Sequence, residues 1–151
     1  MKKFYLLLMV CVFSCVAWSC SDNDDDDWDV PISISDLPIN TQSFISTFYP
    51  GERVVKVTKE IEHDTLKYEV EFASGLEIEF DEYGDWTHIE AAKGQRIPTG
   101  VVPEISEYVG LHFGNMGIHE ITYKYWGYEV ELLDGTELLF DSDFTFIGYD
   151  S

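Results

Sequence analysis

The sequence predicts an α+β fold, a tandem repeat of two units. Each unit is one helix plus a four-stranded antiparallel sheet, with the helices on one face of the sheet. Three observations carry this. Residues 68–81, Tyr-Glu-Val-Glu-Phe-Ala-Ser-Gly-Leu-Glu-Ile-Glu-Phe-Asp, return sixty positions later at 128–141 with eight of fourteen residues identical. Both copies alternate apolar and acidic residues with the period of a strand that buries one face. Leu37-Pro38 and Ile97-Pro98, also sixty apart, each open an amphipathic segment.

The helices come first in each unit. Phe44, Ile45 and Phe48 share one side of a segment ended by Pro50-Gly51, and Val101, Val102, Ile105, Tyr108 and Val109 repeat the pattern with Pro103 in the first turn and Gly110 after it. A strand over 53–62 follows the first helix. Its pairing sets Ile61 against Leu66, Val57 against Val70 and Val55 against Phe72, and brings Lys56 to Glu71 and Glu60 to Lys67. The repeated motif is a hairpin. A three-residue loop, Ala73-Ser74-Gly75, pairs Phe72 with Leu76, Val70 with Ile78 and Tyr68 with Phe80, with glycine at the left-handed position. In the second unit a Trp126-Gly127 turn would pair Tyr125 with Tyr128, Tyr123 with Val130 and Ile121 with Leu132, and bring Lys124 to Glu129. Last strands are expected around 86–89 and 144–147.

The amino terminus has a different logic. Lys2 and Lys3 precede an apolar run over residues 4–17 and then Ala17-Trp18-Ser19-Cys20, a secretory signal too short for a lasting membrane span. Its ending resembles a bacterial lipoprotein signal, with Ala17 where leucine is usual. That resemblance makes residues 1–19 the signal peptide and Cys20 the lipid-attachment residue. All three cysteines, Cys11, Cys15 and Cys20, lie here, so the mature body must be held by its core and not by disulfides. Removing Lys2 and Lys3 with the signal leaves seven basic against 29 acidic residues, a mature charge of −22. The run Ser21-Asp22-Asn23-Asp24-Asp25-Asp26-Asp27 begins an expected acidic, disordered tether over 20–34. An acidic stretch after the lipidated cysteine also resembles the surface-export signal of Bacteroidetes lipoproteins. The expected location is therefore the cell envelope, as an outer-membrane lipoprotein that is surface-exposed or faces the periplasm.

The two units over 35–94 and 95–151, with Leu/Ile-Pro before each helix and Tyr-Glu-Val-Glu…Gly…Glu…Phe-Asp in each hairpin, resemble the PepSY-like family of exported Bacteroidetes proteins. That family is similar in fold to the β-lactamase-inhibitor protein. The resemblance implies a binding module, inhibitor-like by analogy, and names no activity.

On the first unit's open sheet face the alternation places Lys56, Thr58, Glu69, Glu71, Glu77 and Glu79, joined by Thr87 and Ile89; His88 is expected near the core. The second unit places Glu129, Glu131 and Glu137 beside Leu133, Leu139 and Ile147, with Tyr149 at the margin. The partner-contact set is thus Glu69, Glu71, Glu77, Glu79, Glu129, Glu131, Leu133, Glu137, Leu139 and Ile147. No catalytic residues, cofactor or dedicated metal ligands are expected. The four histidines are scattered, no cysteine nucleophile remains, and no Gly-x-Ser-x-Gly or phosphate loop occurs. Asp81-Glu82-Tyr83-Gly84-Asp85 and Asp141-Ser142-Asp143 lack the ligand count of an EF-hand loop. Nucleic acid is excluded as a partner at this charge. The sequence therefore reads as a non-enzymatic envelope lipoprotein, tethered to the membrane through Cys20, that offers an acidic sheet face to a protein. Its alternative is a calcium-responsive protein using opposed glutamates or acidic loops.

Overall fold

The computed structural model describes residues 28–62 and 64–150. The signal, Cys20, the run up to Asp27 and His63 lie outside these residues. Nine strands follow in chain order: β1 Trp28–Pro31, β2 Val54–Glu62, β3 Thr65–Phe72, β4 Glu77–Asp81, β5 Trp86–Glu90, β6 Ile118–Lys124, β7 Gly127–Leu132, β8 Glu137–Asp141 and β9 Phe146–Tyr149. Two helices interrupt them, α1 Ile39–Phe48 and α2 Pro103–Phe113.

All nine strands form one antiparallel sheet in the order of the chain. This corrects the expected fold class. The described residues are mostly β, a single sheet with two α-helices, not two helix-plus-four-strand units in tandem. The seam lies at β5 and β6, where His88 pairs with Thr122, Ile89 with Ile121 and Glu90 with Glu120. Separate units would leave Ile89 and Ile121 on open edges that invite foreign pairing. Joined, both are fully buried. Backbone bonds from Ala91 to His119 (2.8 Å) and from Ile97 to Ile118 (2.8 Å) extend the junction.

The apolar face of this sheet is the core. Val70, Phe72, Ile78, Phe80, Ile89, Ile121, Val130, Leu132, Leu138 and Phe140 are buried on it, and Ile45, Ile105 and Val109 of the helices close over it. Phe44 meets Phe80 edge-on at 5.7 Å, and Tyr108 meets Phe140 in the same way at 5.3 Å. Helix α2 runs through Gly110 to Phe113 and stops at Gly114, whose φ of 63° ends it.

The first hairpin has the expected register, with Tyr68 opposite Phe80 and Val70 opposite Ile78. Four local readings are corrected. A bulge between Val54 and Lys56 puts Val54, not Val55, opposite Phe72 and leaves Val55 half-exposed. The second hairpin turns at Tyr125-Trp126, so Tyr123 pairs with Tyr128 and Ile121 with Val130. Gly127 is a strand residue there, and a Cβ on it would collide with the Phe140 carbonyl oxygen. The last strand begins at Phe146 because Phe144 turns with φ of 63° and stacks on Tyr128 at 5.2 Å. Lastly, the tether expected over 20–34 carries β1, which pairs antiparallel with the edge of β2. Its Pro31 has no N–H to give, which an edge strand tolerates.

The acidic loops serve the fold. Asp81 Oδ1 accepts the backbone N–H groups of Tyr83 (3.0 Å) and Asp85 (2.9 Å), and Asp141 Oδ1 accepts those of Asp143 (3.0 Å) and Thr145 (2.8 Å). In the first loop Gly84 also receives the start of α1. Its carbonyl accepts the buried Thr41 hydroxyl at 3.1 Å, and Asn40 Nδ2 donates to the Tyr83 carbonyl at 2.6 Å.

Candidate functional site on the open sheet face

The face opposite the helices carries the other half of each alternating strand. Across it runs one in-register row. Lys56 pairs with Glu71, Glu71 with Glu77, Glu77 with Glu90, Glu90 with Glu120, Glu120 with Glu131, and Glu131 with Glu137. Six glutamates therefore stand side by side on six consecutive strands. At the usual strand spacing this ladder is roughly 24 Å long. At its β3 end Lys56 Nζ lies 2.6 Å from Glu71 Oε1.

A second row flanks the first. Thr58 pairs with Glu69, Glu69 with Glu79, Glu79 with His88, His88 with Thr122, Thr122 with Glu129, and Glu129 with Leu139. Two lysines offset this charge locally, and a histidine lies among the carboxylates. Lys67 Nζ is 3.0 Å from Glu60 and 4.0 Å from Glu79, Lys124 Nζ is 3.1 Å from Glu129, and His88 Nδ1 is 3.7 Å from Glu120 and 2.9 Å from the Thr122 hydroxyl.

Crowding of like charge shows in the acidities. Glu69 is pushed up to about 7, first by a hydrogen bond shared with Glu60, then by burial and by the charge of Glu77. Burial would raise Glu60, but hydrogen bonds from Glu69 and Lys67 outweigh it and hold that carboxyl low. The shared hydrogen bond raises Glu69 and lowers Glu60, so Glu69 holds its proton to the higher pH. Glu120 is raised by burial, with Glu90 and Glu131 adding to the rise and His88 opposing it.

Of the expected contact residues, Glu69, Glu71, Glu77, Glu79, Glu129, Glu131, Glu137 and Leu139 pair along these two rows. Leu133 instead lies in the β7–β8 turn, and Ile147 stands exposed at the irregularity where β9 passes β8. In the second half a concavity of about 140 Å³ opens among Glu120, Thr122, Glu129, Glu131 and Leu139.

Four residues of this face escape the sequence reading: Glu90, Glu120, His88 and Thr122. Glu90 and Glu120 flank Ile89 and Ile121, and His88 faces Glu79 instead of the core. A bulge between Glu79 and Phe80 shifts β5 by one residue, so Trp86 faces Phe80 and Ile89 turns inward. The signal was present for Glu120, whose neighbour Ile121 already belonged to the apolar face. For Glu90 and His88 the bulge hid it.

Among the described residues no group of three or more His, Cys, Asp or Glu side chains could hold a metal ion. No helix of the described residues is long and apolar enough to cross a membrane.

Residues 66–148 match the family described as "Putative beta-lactamase-inhibitor-like, PepSY-like". The structure is similar to that of a "putative periplasmic protein" of the DUF2874 family from Bacteroides vulgatus, with TM-score 0.77 and 33% identity over 85% of this chain and 99% of that one. It is similar to a "putative calcium-regulated periplasmic protein" of Bacteroides thetaiotaomicron, with TM-score 0.77 and 30% identity over 82% and 97%. A third, a "putative periplasmic protein of unknown function" from Bacteroides vulgatus, has TM-score 0.76 and 25% identity over 82% and 100%. No functionally curated protein matches the sequence. The match of more than half the chain, with solved relatives of nearly the same length and fold, makes this protein a member of the PepSY-like family.

Proposed function

We propose that this chain is a non-enzymatic binding module of the cell envelope that presents its open sheet face to a basic protein, with an inhibitor-like role. In this reading Cys20 carries the lipid, the residues up to Asp27 are the tether, and the outer membrane is the site of action. The six-glutamate ladder is the observation that carries it. A linear array of carboxylates complements a basic surface and steers it in, more than it adds raw affinity. The contact runs from Glu69, Glu71, Glu77 and Glu79 across to Glu129, Glu131, Glu137 and Leu139, with Leu133 and Ile147 at its apolar rim.

The test is capture of envelope proteins on the immobilised full chain, compared with a Glu77→Lys/Glu131→Lys double variant. Partners that elute with salt from the wild type and are lost from the variant support the proposal. Identical profiles for the two proteins would sink it.

Calcium is the second reading, favoured by the description of the Bacteroides thetaiotaomicron protein as calcium-regulated. Against it, both acidic loops spend a carboxylate oxygen on their own backbone N–H groups. A thermal melt with calcium and with chelator separates the readings, since a ligand of the folded state raises Tm beyond the effect of monovalent salt.

A further inference from the structure

On the other side of the sheet, a cleft of about 660 Å³ lies between the end of α1 and the segment that follows β5. Its apolar lining comes from Phe48, Leu76 and Ala91, the last two nearly fully buried. Tyr49 is a wall residue, 9% exposed, and its hydroxyl is buried without a hydrogen-bond partner. A buried, unpaired hydroxyl costs about 1–3 kcal/mol. Burial pushes the Tyr49 phenol well above its ordinary range and the charge of Glu52 adds to the rise, so it stays a proton donor at neutral pH.

The segment after β5 supplies Lys93 and Arg96 to the same cleft. Basic groups are scarce in this chain, and among the described residues neither of these makes an ion pair. The stem of Arg96 occupies the space that a side chain at Gly117 would fill. The arginine is thereby braced, not free to wander. Glu52, on the α1 side, repels an anion, so the charged end of a ligand belongs on the Lys93–Arg96 side.

We infer that this cleft binds an organic carboxylate with an apolar body, the carboxylate paired with Arg96 and Lys93. The volume falls within the roughly 300–1,000 Å³ of small-molecule sites. A guanidinium gives charge-assisted bonds to a carboxylate that a neutral amide cannot match. This site is independent of the acidic face, so either proposal can fail alone.

The experiment is calorimetric titration of the full chain in a non-ionic detergent, blanked against protein-free detergent. The probes are octanoate, 4-phenylbutyrate and their neutral amides. The acids should bind saturably and the amides about tenfold more weakly or worse. Arg96→Gln should weaken acid binding by about tenfold and leave amide binding unchanged. No saturable binding of either acid below about 10 mM overturns the inference, as does equal binding of acids and amides. An Arg96→Gln protein that binds the acids unchanged overturns it too.

Discussion

Glu69→Gln should make the protein more stable above pH 7 and remove a pH dependence that the wild type carries between about 4.5 and 7. In the folded chain Glu69 is raised from its ordinary 4.5 to about 7, chiefly by the hydrogen bond it shares with Glu60. A group whose folded value is raised contributes stability fully present below its unfolded value, and that stability is lost as pH rises through the folded value. For a group sealed from water the gap would correspond to about 3 kcal/mol. Glu69 faces solvent along the open sheet, and screening reduces the expected loss to about 1 kcal/mol. A glutamine at this position donates the same kind of hydrogen bond to Glu60 and never charges.

The assay is urea unfolding of wild type and variant at pH 5, 6, 7 and 8. The two should agree near pH 5 and diverge until the variant leads by about 1 kcal/mol at pH 8. The difference between the two curves isolates Glu69 from the other carboxylates, which titrate in both proteins. Parallel curves across the whole range would refute this reasoning. A variant less stable than wild type at pH 8 would refute it as well.

Glu120→Gln removes one charge from the middle of the ladder, between Glu90 and Glu131. Each directly opposed like pair costs about 0.2–1 kcal/mol, so Tm should rise at low salt and the gain should shrink in high salt. Gly84→Ala places a Cβ 2.7 Å from Pro38 Cβ at a φ of 84°, on the loop that seats α1. Denaturant unfolding should show a loss of about 3 kcal/mol or more. Thr58→Val removes a buried hydroxyl that has no partner at nearly constant shape. It should leave stability unchanged or raise it by up to about 1 kcal/mol, measured in the same way.

The legible parts of this fold were those that period and turn chemistry dictate. Val70 against Ile78 and Glu71 against Glu77 follow from a three-residue loop closed by Gly75, whose φ of 93° fits the left-handed position. Irregularities broke the reading elsewhere. One extra residue in β5 turns Ile89 inward and His88 outward, and composition does not mark where a bulge falls. The second hairpin slipped by two residues. Trp126-Gly127 looks like a turn, yet Gly127 is needed where its backbone passes the Phe140 carbonyl. The β5–β6 seam joins strands 27 residues apart across α2, and β1 is four residues attached to a free edge. Both are long-range choices that no local window contains. The ladder could be read only in halves, because its middle pair, Glu90 and Glu120, straddles that seam.

The core explains why each ladder position points outward but not why it is glutamate. Glu77 faces solvent because Ile78 is buried, and Glu120 faces solvent because Ile121 is. Threonine or lysine would satisfy the same alternation, and threonine suits a strand better. Five opposed like pairs between Glu71 and Glu137 work against stability, each by about 0.2–1 kcal/mol. Solubility does not require the cost, since Asp22, Asp24, Asp25, Asp26, Asp27 and Asp29 already supply a dense negative charge. On the proposed reading, a sequence otherwise consistent with its fold that breaks one local rule five times in a single row does so for the partner contact made there.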